Sequence, residues 1–246
     1  MKTVILHYHL FKNAGTSLDA AFKENFSEDR GEWLTKEFPA QPAANRQQVK
    51  QWIIDNPSAI CFSSHTALFP VPEIDGIKII PVIFFRHPID RIASAYLFEK
   101  KQGGDGFGST LARNTTLGGY IETRLAVPVD RQCRNFHSQR FSTMYGENQG
   151  EEAARAEMAI ESLPFVGLVQ DYSKSLEKLV FILKEEGFDG IALRPTEKNV
   201  TRDLNKNLNE KLADIERQIG KELYTKLVEA NMVDLAIWSK LVKVFL

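Results

Sequence analysis

The chain has 246 residues, 43% of them hydrophobic and 26% charged, and its formal net charge is −1. That composition can fill one compact domain with a sizeable core, while the near-neutral charge removes a general electrostatic drive toward nucleic acid. No apolar run reaches the ~20 residues that a membrane-spanning helix needs, so no span is expected.

Cys61 and Cys133 stand far apart and fit neither a metal nor a disulfide spacing. Two isolated thiols point to a reducing, cytoplasmic setting. Residues 3 to 10 are apolar and β-branched and read as a first strand; His7 and His9 interrupt the stretch and no small-residue cleavage site follows, which argues against a signal peptide. The sequons at Asn25, Asn114 and Asn199 then read as chance matches. Residues 11 to 17 form a short loop, and Leu18, Ala21, Phe22 and Phe26 set a helical spacing from Thr16. Pro39 and Pro42 mark a loop, and Asn45 is a candidate cap for a helix running to Asp55. Residues 58 to 63 read as a second strand ending at His65, and residues 78 to 85 as a third, almost wholly apolar, strand. Pro81 conflicts with a strand interior and is expected near its start or at a bulge. Pro88 suits the first turn of a helix carrying Ile89, Ile92, Ala93 and Tyr96.

Residues 101 to 119 hold six of the fifteen glycines (Gly103, Gly104, Gly106, Gly108, Gly118, Gly119) and read as a long polar loop, a candidate substrate lid. Residues 151 to 162 predict a helix, 165 to 169 a fourth strand, 172 to 186 a helix, and 205 to 246 a helical segment broken near Gly220. Strands alternating with helices predict an α/β fold with a mostly parallel sheet covered by helices, in a single domain over 1–246.

Two segments carry chemistry. The first strand runs through Phe11-Lys12-Asn13-Ala14-Gly15-Thr16-Ser17 into a helix. Backbone N–H groups and the positive dipole end at a helix start favour a phosphate; Lys12 adds charge, Thr16 and Ser17 add hydroxyls, and Gly15 permits close approach. The loop departs from the G-x-x-x-x-G-K-[ST] pattern, since its Lys precedes its Gly, and no strand ends in an evident Mg²⁺-binding Asp. The second segment is Arg86-His87-Pro88-Ile89-Asp90-Arg91-Ile92-Ala93-Ser94-Ala95-Tyr96. Arg86 ends a buried strand, where open α/β sheets bind ligands, and a guanidinium with a hydroxyl such as Ser94 can clamp a second phosphate.

Together these segments resemble the sulfotransferases that use 3′-phosphoadenosine-5′-phosphosulfate (PAPS). The Lys12–Ser17 loop resembles their phosphosulfate loop, and Arg86 to Tyr96 their R-x-P-x-x-R-x-x-S-x-Y motif for the 3′-phosphate. The form is similar to the carbohydrate-type branch with the heparan and chondroitin sulfotransferases and bacterial relatives. Weaker similarity continues through residues 135–140, 166–176 and 223–238.

The resemblance implies a P-loop-like fold, PAPS as donor, a hydroxyl of a carbohydrate or glycoconjugate as acceptor, and no metal. It implies that Lys12 stabilises charge on the leaving 5′-phosphate, that Asn13, Ala14, Gly15, Thr16 and Ser17 hold that phosphate, and that Arg86 and Ser94 hold the 3′-phosphate. His65 matches the position of the catalytic His, and imidazole suits a general base. A His at a strand end is also a common structural residue, and so both roles stand open. No better-placed Glu offers itself as base. Arg134 and Arg140 are candidates for an anionic acceptor or for a helix surface, and Lys198 and Asn199 for the nucleotide border. His7 and His9 share one face of the first strand, but no third metal ligand is evident, which favours core or supporting roles. His87 reads as structural, and Asp90 and Arg91 as helix-surface or fold-stabilising charges. Two other classes fit parts of this pattern: a nucleotide kinase-like transferase, which needs the missing Gly spacing and Mg²⁺ carboxylates, and a non-catalytic nucleotide-binding protein of the same fold.

Overall fold

A computed structural model describes residues 1–26, 31–195 and 206–245. Lys198 and Asn199, and the ends Asn205 and Leu246 of the predicted C-terminal helical segment, lie outside the described residues. The chain is α/β and divides into two compact units, residues 1–85 with 140–198, and residues 86–139 with 199–246.

In chain order the elements are β1 (Lys2–Tyr8), α1 (Gly15–Asn25), β2 (Glu32–Thr35), α2 (Pro42–Asp55), β3 (Ala59–Ser64) and β4 (Ile77–Phe85). There follow α3 (Pro88–Gln102), α4 (Phe107–Asn114), α5 (Leu117–Ala126), α6 (Phe136–Ser142), α7 (Glu152–Ser162), β5 (Gly167–Leu168) and α8 (Tyr172–Glu185). The C-terminal segment forms α9 (Leu208–Ile219), α10 (Lys221–Glu229) and α11 (Met232–Phe245).

The first unit carries a five-stranded sheet, β2-β3-β1-β4-β5, in which every strand pair is parallel. From β1 the chain passes to the edge strand β2, returns inward to β3, and then crosses β1 to β4 on the other side. The topological switch point therefore lies between the carboxyl ends of β1 and β4, the place where open α/β sheets bind ligands. Alternation along β1 sorts its side chains to two faces. Ile5 joins Leu18, Phe22, Cys61, Val82, Leu176 and Leu179 in a core that α1 and α8 cover. On the other face Tyr8 stacks on Phe69 at 4.4 Å, and Trp52 of α2 meets Phe62 edge-on at 4.8 Å. His7 and His9 fall on the α1 side of the strand.

The second unit is helical among its described residues. Ile89, Ile92, Tyr96, Leu117, Tyr120, Ile121, Cys133, Ile215 and Leu227 form its core. A charged group is built into that core. Arg124 pairs with Glu99 at 3.1 Å and Asp130 at 2.7 Å, and the Tyr120 hydroxyl donates to Glu99 at 2.5 Å. Cys61 and Cys133 are both buried free thiols, one in each unit.

Several sequence expectations need correction. Glu32–Thr35 is a strand that the sequence reading lacked. Pro81 sits in the middle of β4, opposite Leu6 of β1, with no bulge. β5 pairs only with Phe84 and Phe85, so among the described residues β4 has one strand neighbour at the level of Pro81, and the missing N–H is tolerated as on an edge strand. Asn45 is no cap: Gln41 caps α2, and the buried Asn45 amide donates to the carbonyls of Pro39 and Thr66. Residues 101 to 119 are not one long loop, because α4 and the start of α5 occupy them. Inside α4 a Cβ on Gly108 would lie 2.3 Å from a Glu99 carboxylate oxygen and 2.5 Å from an Arg124 guanidinium nitrogen, so a side chain there would displace the tips of this ion pair.

Candidate functional site

After β1 the chain turns sharply into α1. Lys12 and Ala14 both adopt left-handed backbone, with φ of 63° and 62°. The Asn13 N–H closes the turn onto the Leu10 carbonyl at 3.1 Å, and its side-chain amide donates to Phe11 at 3.0 Å. Ala14, the residue before α1, supplies no side-chain cap, and the first turn of α1 holds no acidic residue. The amino end of this helix thus keeps its positive dipole unopposed by a local carboxylate. Thr16 is exposed there, and Lys12 and Ser17 are half-buried.

Gly15 has a second reason to be glycine. A Cβ at this position would lie 2.0 Å from His9 Cδ2, so the His9 ring rests directly on the first turn of α1. His9 is itself pinned: its Nδ1–H donates to Asp19 Oδ2 at 2.8 Å. The other carboxylate oxygen, Oδ1, accepts from His7 Nδ1–H at 2.7 Å and from the Ser63 hydroxyl at 2.6 Å. Burial alone would push the Asp19 carboxyl up, but the two imidazoles and their hydrogen bonds outweigh it and hold the group well below its usual range. Burial lowers the pKa of His9, against the Asp19 hydrogen bond, which raises it.

His65 follows β3 and lies face to face with His9, ring centroids 3.8 Å apart. Glu37, just past the end of β2, accepts from His65 Nδ1–H at 2.7 Å and from the His65 backbone N–H at 3.2 Å. Both side chains are about half exposed, at 51% and 49%. The first unit therefore holds a continuous array: the Lys12 turn, Gly15, His9 with Asp19, His65 and Glu37.

The remaining expected site residues lie elsewhere in the chain. Arg86 directly follows Phe85, the last residue of β4, and its Nε donates to Asp90 at 2.6 Å. Asp90 and Arg91 are buried, not on a helix surface: Arg91 spans Gln132 at 3.0 Å and lies 4.0 Å over the Phe136 ring. Ser94 is fully buried in α3. His87 packs edge-on against Trp238 at 4.7 Å, and burial lowers its pKa to about 4, consistent with a structural role. Arg134 donates to the Leu125 carbonyl at 2.8 Å, a bond that ties it to the end of α5. Arg140 belongs to the first unit, and burial pulls its pKa below the ordinary value.

No family model matches the chain. A protein of Archaeoglobus fulgidus, described only as uncharacterized, is 40% identical to it over 252 residues, covering 99% of this chain and 98% of the relative. The chain belongs to that protein's family. Membership extends over the full length of the fold, both units included, and brings no chemistry with it.

Two members of the array escaped the sequence reading. Asp19 is the third ligand atom that the His7 and His9 pair lacked, and the three groups lie within 4.8 Å of one another. An N,N,O donor set of this kind can hold a transition metal. Here, however, both carboxylate oxygens already accept hydrogen bonds from three donors, so an ion would enter only at their expense. Asp19 appears in the sequence only as a polar position on an amphipathic helix. Glu37 gives no local signal either, because its partner is 28 residues away and the two meet only when β2 pairs with β3.

Proposed function

We propose that the protein transfers a sulfuryl group from PAPS to a hydroxyl of a carbohydrate or glycoconjugate. The observation that carries this reading is the stacking of His65 on His9, whose ring lies against Gly15. A half-exposed imidazole with its Nδ1 held by a carboxylate thus stands one ring away from the turn that fits a phosphate. That turn suits the donor on its own terms: a cation at Lys12, hydroxyls at Thr16 and Ser17, an α1 first turn free of acids, and a position at the sheet's switch point.

In the reaction a new S–O bond forms to the acceptor oxygen while the bond from sulfur to the bridging oxygen breaks, its electron pair passing to the 5′-phosphate. Lys12 and the α1 amides stabilise the charge that grows on that phosphate. His65 takes the hydroxyl proton at Nε2. Arg86 supplies charge-assisted hydrogen bonds to the 3′-phosphate. Among the described residues no helix is long and apolar enough to cross a membrane; the reading places the enzyme in the cytoplasm.

The test is sulfate transfer from radiolabelled PAPS across a panel of glycans, lipids and small alcohols, preceded by a thermal-shift screen with adenosine 3′,5′-bisphosphate. Lys12→Ala should cut turnover far more than it weakens donor binding. Arg86→Ala should weaken adenosine 3′,5′-bisphosphate about 10- to 100-fold, the equivalent of one charge-assisted bond, and leave adenosine 5′-monophosphate little changed. Equal loss for both nucleotides, or none, refutes the role given to Arg86. Tight binding of ATP–Mg²⁺ with none of the bisphosphate would instead favour a kinase-like transferase.

A further inference from the structure

The contact between Glu37 and His65 is half exposed, yet the backbone builds it. Past the ends of β2 and β3 the two strand tails remain laced together. The Lys36 N–H donates to the Ser63 carbonyl at 3.3 Å, and the Phe38 N–H to the Thr66 hydroxyl at 2.6 Å. Asn45 clamps both tails from α2, donating to the carbonyls of Pro39 and Thr66 and accepting from the Leu68 N–H at 3.0 Å. Phe38, next to Glu37, is buried against Trp52, with ring centroids 5.4 Å apart. Glu37 is therefore held in place by the buried Phe38 beside it and by the backbone pairing of its strand tail, and His65 by its place on the other tail. One oxygen of Glu37 then takes both the backbone N–H and the ring Nδ1–H of His65. The opposite constraint comes from the His9 ring, face on at 3.8 Å.

We propose that Glu37 is a positioning residue: it fixes His65 in the Nδ1–H tautomer, with Nε2 as the ring's basic nitrogen, and sets the direction in which that nitrogen points. The inference rests on the sulfuryl-transfer reading for its use, since that reaction needs a base at a defined atom. Its physical basis is independent of it. A carboxylate can only accept, so the ring nitrogen facing Glu37 must carry the proton. A base with the wrong tautomer presents N–H to the group it should deprotonate, and catalysis falls steeply.

The experiment uses the full chain with ¹⁵N-labelled histidine, at about pH 8 where imidazole is neutral. Ring-nitrogen spectra are recorded for wild type, Glu37→Ala and Glu37→Gln, with His65→Ala assigning the signal. Wild-type His65 should show the Nδ1–H pattern. Glu37→Ala should move it to the mixed pattern of a free imidazole, and Glu37→Gln, which keeps an acceptor oxygen, should largely restore it. Because an exposed pair contributes little to folding, the thermal midpoint of Glu37→Ala should stay within about 3 °C of wild type.

Sulfate release from PAPS with water as acceptor supplies the kinetic arm. Glu37→Ala should lower kcat about tenfold or more, with KM for PAPS unchanged, and Glu37→Gln by less. A His65 signal unaltered by Glu37→Ala, or already of the Nε2–H form in wild type, overturns the positioning role. If the tautomer moves as expected but His65→Ala keeps full turnover, the ring is positioned as proposed and the assignment of His65 as base is what fails.

Discussion

Gly15→Ala is the sharpest test of how the phosphate-type turn is joined to the histidine array. The new methyl carbon would lie 2.0 Å from His9 Cδ2 and 2.4 Å from Cγ and Nε2, against an ordinary contact of 3.4 Å or more. The ring must therefore retreat by about 1.4 Å, and neither Gly15 nor His9 has open space around it, both being buried. Over-packing of this kind costs about 1–3 kcal/mol, and breaking the His9–Asp19 bond, which has a charged acceptor, about 1.5–3 more. Alanine is the better helix former by up to about 1 kcal/mol, which leaves a net loss of about 1.5–6 kcal/mol. In a chain of this size that corresponds to a fall of about 3–24 °C in the thermal midpoint. The decisive measurement is a double-mutant cycle by urea unfolding. In a His9→Ala background the methyl meets no ring, so Gly15→Ala should be neutral or mildly stabilising, and the coupling should be about 2.5–6 kcal/mol. A coupling below about 0.5 kcal/mol would mean that His9 does not rest on the turn, and would remove the link between the turn and His65.

Two further predictions concern the second unit. His87 stays neutral in the native protein down to about pH 4, while in the unfolded chain it takes up a proton near the ordinary imidazole value of 6.5. Its contribution to stability is thus complete above pH 6.5 and is lost as the pH falls toward 4, by about 2.5 kcal/mol at pH 4.5; His87→Phe should flatten that part of the stability profile measured by urea unfolding at pH 7 and 4.5. Asp234, fully buried, accepts from His137 Nδ1–H at 2.9 Å and from the backbone N–H groups of His137 at 2.8 Å and Ser138 at 2.7 Å. Asp234→Ala strands all three donors and should cost about 3–5 kcal/mol in denaturant unfolding, and Asp234→Asn, which keeps acceptor oxygen, distinctly less.

The strands most legible in the sequence were those with the deepest burial. β1, β3 and β4 are runs of apolar and β-branched residues because the centre of a parallel sheet is covered on both faces. β2 was missed because four residues, Glu-Trp-Leu-Thr, are too few to show a period and carry a charge at the first position. The glycines of residues 101 to 119 misled for a related reason. Glycine usually marks a turn, but Gly108 lies within α4, close against the side-chain tips of Glu99 and Arg124, a tertiary setting that composition does not reveal.

The candidate site divides along the same line. The Lys12 turn and His65 follow strand ends and could be read from order in the chain. Asp19 and Glu37 act on imidazoles 10 to 28 residues away, and only the folded sheet brings them together. Pro81 shows the reverse case. The sequence conflict was real, and the sheet resolves it by leaving that stretch of β4 with a single neighbour.

The two buried thiols give the protein a pair of internal reporters. Burial, reinforced by the Asp19 charge, raises the pKa of Cys61 well above the usual thiol value, and burial pushes Cys133 up to about 12. Neither sulfur presents a thiolate to reagent while its surroundings stay closed. Alkylation therefore has to wait for a local opening, and its rate counts those openings. Since Cys61 lies in the unit with the sheet and Cys133 in the helical one, the two modification rates, separated by peptide mass, measure the breathing of each unit on its own in the unmodified wild-type chain.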